Sequence, residues 1–560
     1  MSAFAREIEV SQNLGTPLPA YDAHAVSVSL PLWEHVVGYE EGKPGVINNM
    51  VTGYPRFRFH NTVQGLQLLF TTLYQWLKVD GSNSIIQVFG QEKQSLANKQ
   101  VIERDSDYNS LILPTLAIAR RLESFLKFDN QREAGFGSHS VHLFAIPNSS
   151  KVVAIFRKEA ALKAKRFWQH SGELLTSRQA ERLLATLLAQ TDAITLTVLQ
   201  NKSKDQNTSP FFLLTNLLTL SNNEVAFGFS FTSIEKIWTP LPSAETTDLH
   251  AELPYHLDDD FDLNSHLPIK KRITEVINYR AEGETAVYSP VKNEDIFLAS
   301  TGMGAIFTAF RLIQQTYNQS LSTSGGEPPL FVVFGFLYLD TLKVMLRPEW
   351  NAGGVHFFGH GNDDDLEKLE KLLDANQLSN APSSSPFKNR VAAIFSELPT
   401  NPLINCANVA RLTTLAQHYG VSLVLDDTIG NFANLNLFSK PNVQADIVVS
   451  SLTKTFSGAS NLMAGSLILN PNTSAIRYDA LSKHLYQLNS ENDLPYLPKY
   501  DAEALEYNSR SFLIRSSIVN KNGYTLAHWL SNHPYVKQAF HSSLNGNDVN
   551  YNFAKRGAIP

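Results

Sequence analysis

From about residue 265 the chain repeats one alternation, a short apolar run rich in β-branched and aromatic residues followed by a stretch with helical spacing. The runs are IFLAS (296–300), LFVVFG (330–335), VAAIF (391–395), SLVLDD (422–427), DIVVS (446–450) and GSLIL (465–469). Between them lie helical patterns such as Gly302 to Tyr317, Asp364 to Asp374 and Ala407 to His418. Short β-rich runs without polar alternation need cover on both faces, so the pattern predicts an α/β fold, a mostly parallel sheet with helices on either side. In such a sheet ligands sit beyond the carboxyl ends of the strands. The polar residues that follow the runs are therefore the candidates for chemistry.

Three of them stand out. After IFLAS, Thr301-Gly302-Met303 opens a helix whose apolar positions are Met303, Ile306, Phe307, Phe310 and Ile313. Glycine there either makes a tight turn or admits an anion to the first N–H groups of the helix. After SLVL come Asp426, Asp427 and Thr428, where a strand-end carboxylate either caps local backbone or pairs with a cation. After DIVV comes SSLTKTFSG (450–458), with Ser451 and Thr453 flanking Lys454. Taken singly, a lysine in such a turn is a solvated surface charge. Together, a strand-end lysine, a strand-end carboxylate and a glycine turn of phosphate size describe a site for pyridoxal phosphate. The lysine would bond the aldehyde, its pKa lowered by burial; the carboxylate would keep the pyridine nitrogen protonated; the helix start and hydroxyls would hold the phosphate.

These residues resemble the motifs of the fold-type I pyridoxal-phosphate enzymes of cysteine and methionine metabolism, and among them the fungal cystathionine γ-synthases. The lysine motif is Ser451-Leu452-Thr453-Lys454 ending at Gly458, and Glu397-Leu398-Pro399-Thr400-Asn401-Pro402 is similar to a second motif. Asp426-Asp427-Thr428 and Thr301-Gly302-Met303 resemble two more, and Tyr338 in FGFLYLDTL resembles the ring-stacking tyrosine. The resemblance covers 265 to 560, and HAVSVSLPLWEHVVGYEEG (24–42) and GYPRFRFH (53–60) look like the amino-terminal extension of the fungal enzymes. It implies that Lys454 carries the cofactor and moves protons, and that Asp426 partners the pyridine nitrogen. Gly302, Met303, Ser451 and Thr453 would form the phosphate cradle, with Thr428 and Asn401 also in the cofactor set and Tyr338 on the ring. The implied reaction is γ-replacement, in which an O-acylhomoserine and cysteine give cystathionine. Family members are homo-oligomers, commonly tetramers.

At 560 residues the chain exceeds what one core holds. The expected division is an α/β or α+β extension over 1–250, a cofactor-binding large domain over 251–487 and the start of a small carboxyl-terminal domain over 488–560. The formal net charge of -6 shows no basic footprint for nucleic acid. MSAFAREIEVSQNLG lacks a signal-peptide core, and no run nears the roughly 20 apolar residues that span a bilayer. A cytoplasmic location without a membrane partner is the expectation. The lone Cys406 excludes an intramolecular disulfide. Neither Asp258 to Asp260, nor Asp363 to Asp365, nor His356 with His360 has metal-ligand spacing, so no metal is expected.

Three departures from the family pattern favour a second reading, a catalytically impaired scaffold protein or a relative that uses another nucleophile. No residue matches the arginine that binds the substrate carboxylate, because most of the small domain that carries it is expected after AKRGAIP. Tyr255 has no arginine two residues on. Asp427 stands where asparagine is usual, adding a carboxylate that needs protonation, exposure or pairing.

Overall fold

The computed structural model of the protein describes residues 14–20, 22–50, 52, 54, 58–78, 85–87, 101–102, 107–129, 137–189, 194–201, 225–231, 239–241, 262–280, 288–321, 327–379, 381–440, 442–544 and 548–556. Tyr255, Asp258 to Asp260, Gly53, residues 55–57 and the polar stretch 202–209 lie outside these residues. The chain divides into two compact units. The first comprises residues 1–169, 174–260 and 459–462, the second 170–173, 261–458 and 463–560.

The first unit contains two four-stranded sheets. One is antiparallel throughout, in the order Thr239–Pro240, Val141–Ala145, Val152–Arg157, Tyr108–Leu113. The other runs Val101–Ile102, Ile85–Gln87, Val225–Phe231, Ile194–Asn201. Helix Asn61–Lys78 buries Leu66, Leu69, Phe70 and Leu73 completely, spaced three and four apart, so its apolar stripe is core. The antiparallel pairing places this unit in the α+β class.

The second unit is built on seven strands: β1 (Ile296–Ala299), β2 (Leu330–Phe334), β3 (Val355–Phe358), β4 (Val391–Glu397), β5 (Ser422–Asp426), β6 (Ile447–Ser451) and β7 (Gly465–Leu469). Their order is β1-β7-β6-β5-β4-β2-β3. Pairings from β6 across to β3 are parallel, while β7 runs antiparallel to both of its neighbours. Every residue of β1, β2, β4, β5 and β7 is buried, so both alternating sets of side chains are covered, as the unbroken apolar runs require. β3 is missing from the apolar runs. It is an edge strand with His356 and Phe357 exposed, and one-sided burial leaves a weak apolar signal.

Helix Gly302–Leu321 buries Ile306, Phe307, Phe310, Ile313 and Tyr317 in the same cluster as Phe331, Phe395, Val424 and Val449 of the sheet. Asp363 to Asp365 open helix Asp363–Ala375, capped by the Asn362 side chain, which accepts from Asp365 N at 3.1 Å. At the amino end of the sheet, Arg477 and Asp446 form a buried ion pair. Nη1 of Arg477 also donates to Val421 O (3.0 Å), Nη2 donates to Pro386 O (3.0 Å), and Asp446 accepts from Leu423 N (2.7 Å). The pair thus ties β5 and β6 to the helix Ala475–Ser490. No helix among the described residues is long and apolar enough to cross a membrane.

Candidate active site

The carboxyl ends of β4, β5 and β6 bring polar residues together. Glu397, the last residue of β4, stands opposite Asp426, the last of β5, and Asp426 stands opposite Val449 of β6. Both carboxyl groups are buried. Glu397 Oε2 accepts from Tyr338 N at 2.8 Å, and the Asn401 backbone N–H donates to the same side chain. Burial, then the neighbouring Asp426, pushes the Glu397 pKa up to about 8 against those hydrogen bonds. Burial raises Asp426 as well, opposed by Thr428, whose N–H (2.9 Å) and Oγ1 (2.6 Å) both donate to Asp426 Oδ1.

The Thr428 hydroxyl has a second task. It accepts from Ser451 N at 2.8 Å, so one oxygen joins the ends of β5 and β6. Ser451 in turn lies against the start of helix Gly302–Leu321. A Cβ built on Gly302 would sit 2.7 Å from Ser451 Cβ and 2.9 Å from its Oγ, so only glycine permits this approach. Thr301 caps the helix: its Oγ1 accepts from Gly304 N (2.8 Å) and its carbonyl from Ala305 N (3.2 Å). The N–H groups of Gly302 and Met303, which precede the first helical bonds, are left at the open, positive end.

Lys454 sits in the turn that leaves β6. Its side chain is exposed, its N–H donates to Ser451 O (3.4 Å), and its carbonyl accepts from Gly458 N (2.8 Å). Thr453 is buried, with an Oγ1 that accepts from Ala464 N (3.0 Å) and donates to Ala464 O (3.3 Å). Tyr338 is half-buried ahead of helix Leu339–Met345, its hydroxyl donating to Asp340 at 3.3 Å. Asn401 is exposed. Asp427 is buried, with Oδ2 accepting from Phe432 N at 2.8 Å. Burial first, and Asp426 in addition, raises its pKa well above the usual carboxylate range, outweighing the positive charge of Arg556.

A profile described as "Cys/Met metabolism PLP-dependent enzyme" matches residues 371–558, and one described as "Fungal trans-sulfuration enzyme, N-terminal domain" matches residues 82–176. Cystathionine gamma-synthase of Neurospora crassa is 31% identical over 97% of this chain and 84% of its own. The chain belongs to the pyridoxal-phosphate enzymes of cysteine and methionine metabolism. Two other relatives are cystathionine gamma-synthase of Saccharomyces cerevisiae, 28% identical over 92% of this chain and 79% of its own, and an Amanita muscaria protein named "Cystathionine gamma-synthase-like enzyme iboG2", 30% identical over 94% and 77%.

The residues of this pyridoxal-phosphate enzyme fit its family's cofactor on two observations. The close approach of Ser451 to Gly302 at a helix start sets a hydroxyl beside backbone N–H groups, the chemistry of a phosphate cradle, and an added Cβ would push Ser451 out of place. Asp426 is a buried carboxylate whose burial a cationic ring nitrogen would offset.

Among the residues expected from the sequence, one connected network gathers Asp426, Thr428 and Ser451 beside Gly302 and Met303, and Glu397 brings in the backbone of Tyr338 and Asn401. One expectation needs correction. The burial expected of Lys454 is absent, because its turn projects beyond the end of β6 and leaves the side chain exposed. The Thr453 hydroxyl, read as a phosphate donor, holds the backbone of Ala464 on both sides. Of the three routes open to Asp427, exposure is excluded, and burial favours protonation. Sequence reading missed Glu397 as the gathering point. Its place at the end of the run VAAIFSE was the available signal.

Proposed function

We propose that the protein is a cystathionine γ-synthase, which replaces the γ-acyloxy group of an O-acylhomoserine with the thiol of cysteine. The observation that carries this reading is the hydrogen-bonded chain from Asp426 through Thr428 to Ser451 packed against Gly302, in a chain similar throughout to fungal enzymes of that name. Pyridoxal phosphate, when bound, supplies a conjugated ring that takes up electron density as bonds at the substrate's α- and β-carbons break. The N–H groups of Gly302 and Met303 and the Ser451 hydroxyl would hold the phosphate, with Thr453 pinning the lysine turn to Ala464. Asp426 keeps a positive charge on the ring nitrogen, and the Thr428 hydroxyl orients that carboxylate. Tyr338 and Asn401 line the ring. The Lys454 amine would hold the cofactor aldehyde and supply the base that moves protons at the substrate's α- and β-carbons.

The test is to reduce the holoenzyme with borohydride, map the pyridoxyl adduct, and assay cystathionine from an O-acylhomoserine and cysteine. An adduct on Lys454 with cystathionine formation supports the proposal. An adduct elsewhere removes Lys454 from the site. An adduct without cystathionine overturns the substrate assignment.

A further inference from the structure

The turn that presents Lys454 does not hold itself. Two backbone bonds close it, Ser457 N to Leu452 O (2.9 Å) and Gly458 N to Lys454 O (2.8 Å). The next three carbonyls converge on one side chain from sixty residues later. Arg515 Nη2 donates to the carbonyls of Thr455 (3.2 Å), Phe456 (2.8 Å) and Ser457 (3.0 Å). Its Nη1 donates to Asn508 O (3.0 Å) and Ser511 Oγ (2.6 Å), which fixes the guanidinium plane against helices Lys499–Ser509 and Phe512–Ser531. Asn508 Nδ2 adds a bond to Ser457 Oγ at 3.1 Å.

Two packing features confine the same turn. Gly458 has φ +72°, and a Cβ there would lie 2.6 Å from Arg515 Nε and 3.0 Å from its Cζ. The family motif's glycine is thus the residue that lets the guanidinium reach the carbonyls. Phe456 is buried between Phe512, 4.8 Å away, and Phe432, at 6.0 Å. The polar clamp and one side of the aromatic seat therefore come from residues 508–515, outside every motif that marks the site.

We propose that Arg515 is a positioning residue for Lys454, setting where its amine stands by fixing the carbonyls of the three residues that follow it. The proposal rests on the reading of Lys454 as the cofactor-linking amine. Arginine suits the task because a planar fork engages the turn with one nitrogen and the helix pair with the other; a lysine ammonium is a single point of charge. A turn without the clamp lets the amine wander, and a displacement on the order of 1 Å at a reacting group costs roughly 100-fold in rate.

The experiment compares the wild-type holoenzyme with Arg515→Met and Arg515→Lys. Amide exchange across 452–458 is followed in each chain stripped of cofactor, and the absorbance of the lysine–cofactor linkage is titrated against pH in each holoenzyme. With Arg515→Met, exchange is expected to quicken about tenfold, the titration midpoint to move, and kcat to fall by roughly 10- to 100-fold with KM little changed. Arg515→Lys is expected to restore part of each. Wild-type exchange, or faster exchange with a wild-type midpoint and kcat, overturns the proposal. If Arg515→Met does not fold, Gly458→Ala, which pushes on the same guanidinium, is expected to shift exchange and midpoint alike, and unchanged values overturn it. A wild-type holoenzyme with no adduct on Lys454 overturns the functional reading instead, and the exchange comparison then judges the clamp alone.

Discussion

Glu397 and Asp426 face each other across neighbouring parallel strands with both carboxyl groups buried, and burial raises the pKa of each. Two like charges side by side in a low-dielectric setting favour retention of a proton. A cationic ring nitrogen at Asp426 would relieve that repulsion.

The first prediction follows from the direction of the shift. Glu397 moves from an ordinary 4.5 to about 8. Between those values the folded chain holds a proton that the unfolded chain has released, so stability is greatest below the lower value and falls as pH rises through the window. The slope approaches about 1.4 kcal/mol per pH unit for one such proton. Thermal melts of the cofactor-free protein should show a lower Tm at pH 8 than at about pH 5, and Glu397→Gln should flatten the profile. A wild-type Tm independent of pH would refute this.

Gly302→Ala tests the contact between the helix start and Ser451. The new Cβ would lie 2.7 Å from Ser451 Cβ and 3.1 Å from its Cα, inside contact distance, so the end of β6 must shift. Fluorescence titration with pyridoxal phosphate should show affinity weakened by about tenfold or more, and Tm should fall as expected for an overpacked contact costing about 1–3 kcal/mol. Equal affinity in the variant would remove Gly302 from the phosphate site.

Asp427→Asn should stabilise the protein at alkaline pH. The amide oxygen can still accept from Phe432 N, and it brings no charge into a buried site. The folded-state pKa of Asp427 is raised, so its contribution also declines as pH rises. Urea unfolding at pH 8 should show a gain on the order of 1 kcal/mol, and little difference at pH 4. A loss at pH 8 would mean that attraction to Arg556 outweighs the desolvation.

Arg477→Met should be costly, because it leaves Asp446 charged and buried. Removing one partner of a buried pair costs about 3–5 kcal/mol. Urea denaturation should show that loss, and the double replacement with Asp446→Leu should recover part of it.

How much of this was legible in the sequence depended on burial and on distance along the chain. The central strands wrote themselves as unbroken apolar runs because both of their faces are covered, whereas Val355–Phe358 lies at the edge and left only VHFF between turns. Lys454, Asp426 and Gly302 were readable because each follows such a run directly. Arg515 was not. Its partners are the carbonyls of Thr455, Phe456 and Ser457, groups every residue possesses, and nothing in NSRSFLIRSS marks the arginine that will meet them. The bonds of the Thr453 hydroxyl to Ala464 were not legible for the converse reason, since a hydroxyl beside a lysine looks the same whatever it faces.

The antiparallel strand β7 has a consequence for synthesis. Among the described residues β1 pairs with no other strand of the sheet, and its other edge bonds only the backbone of 495–497, so it has no strand to pair with until residues 465–469 appear. The parallel block from β2 to β6 can pair strand by strand, whereas pairing of β1 with β7 closes a loop from 299 to 465. The clamp on the lysine turn comes later still, from residues 508–515, so both halves of the site wait on chain that follows β6.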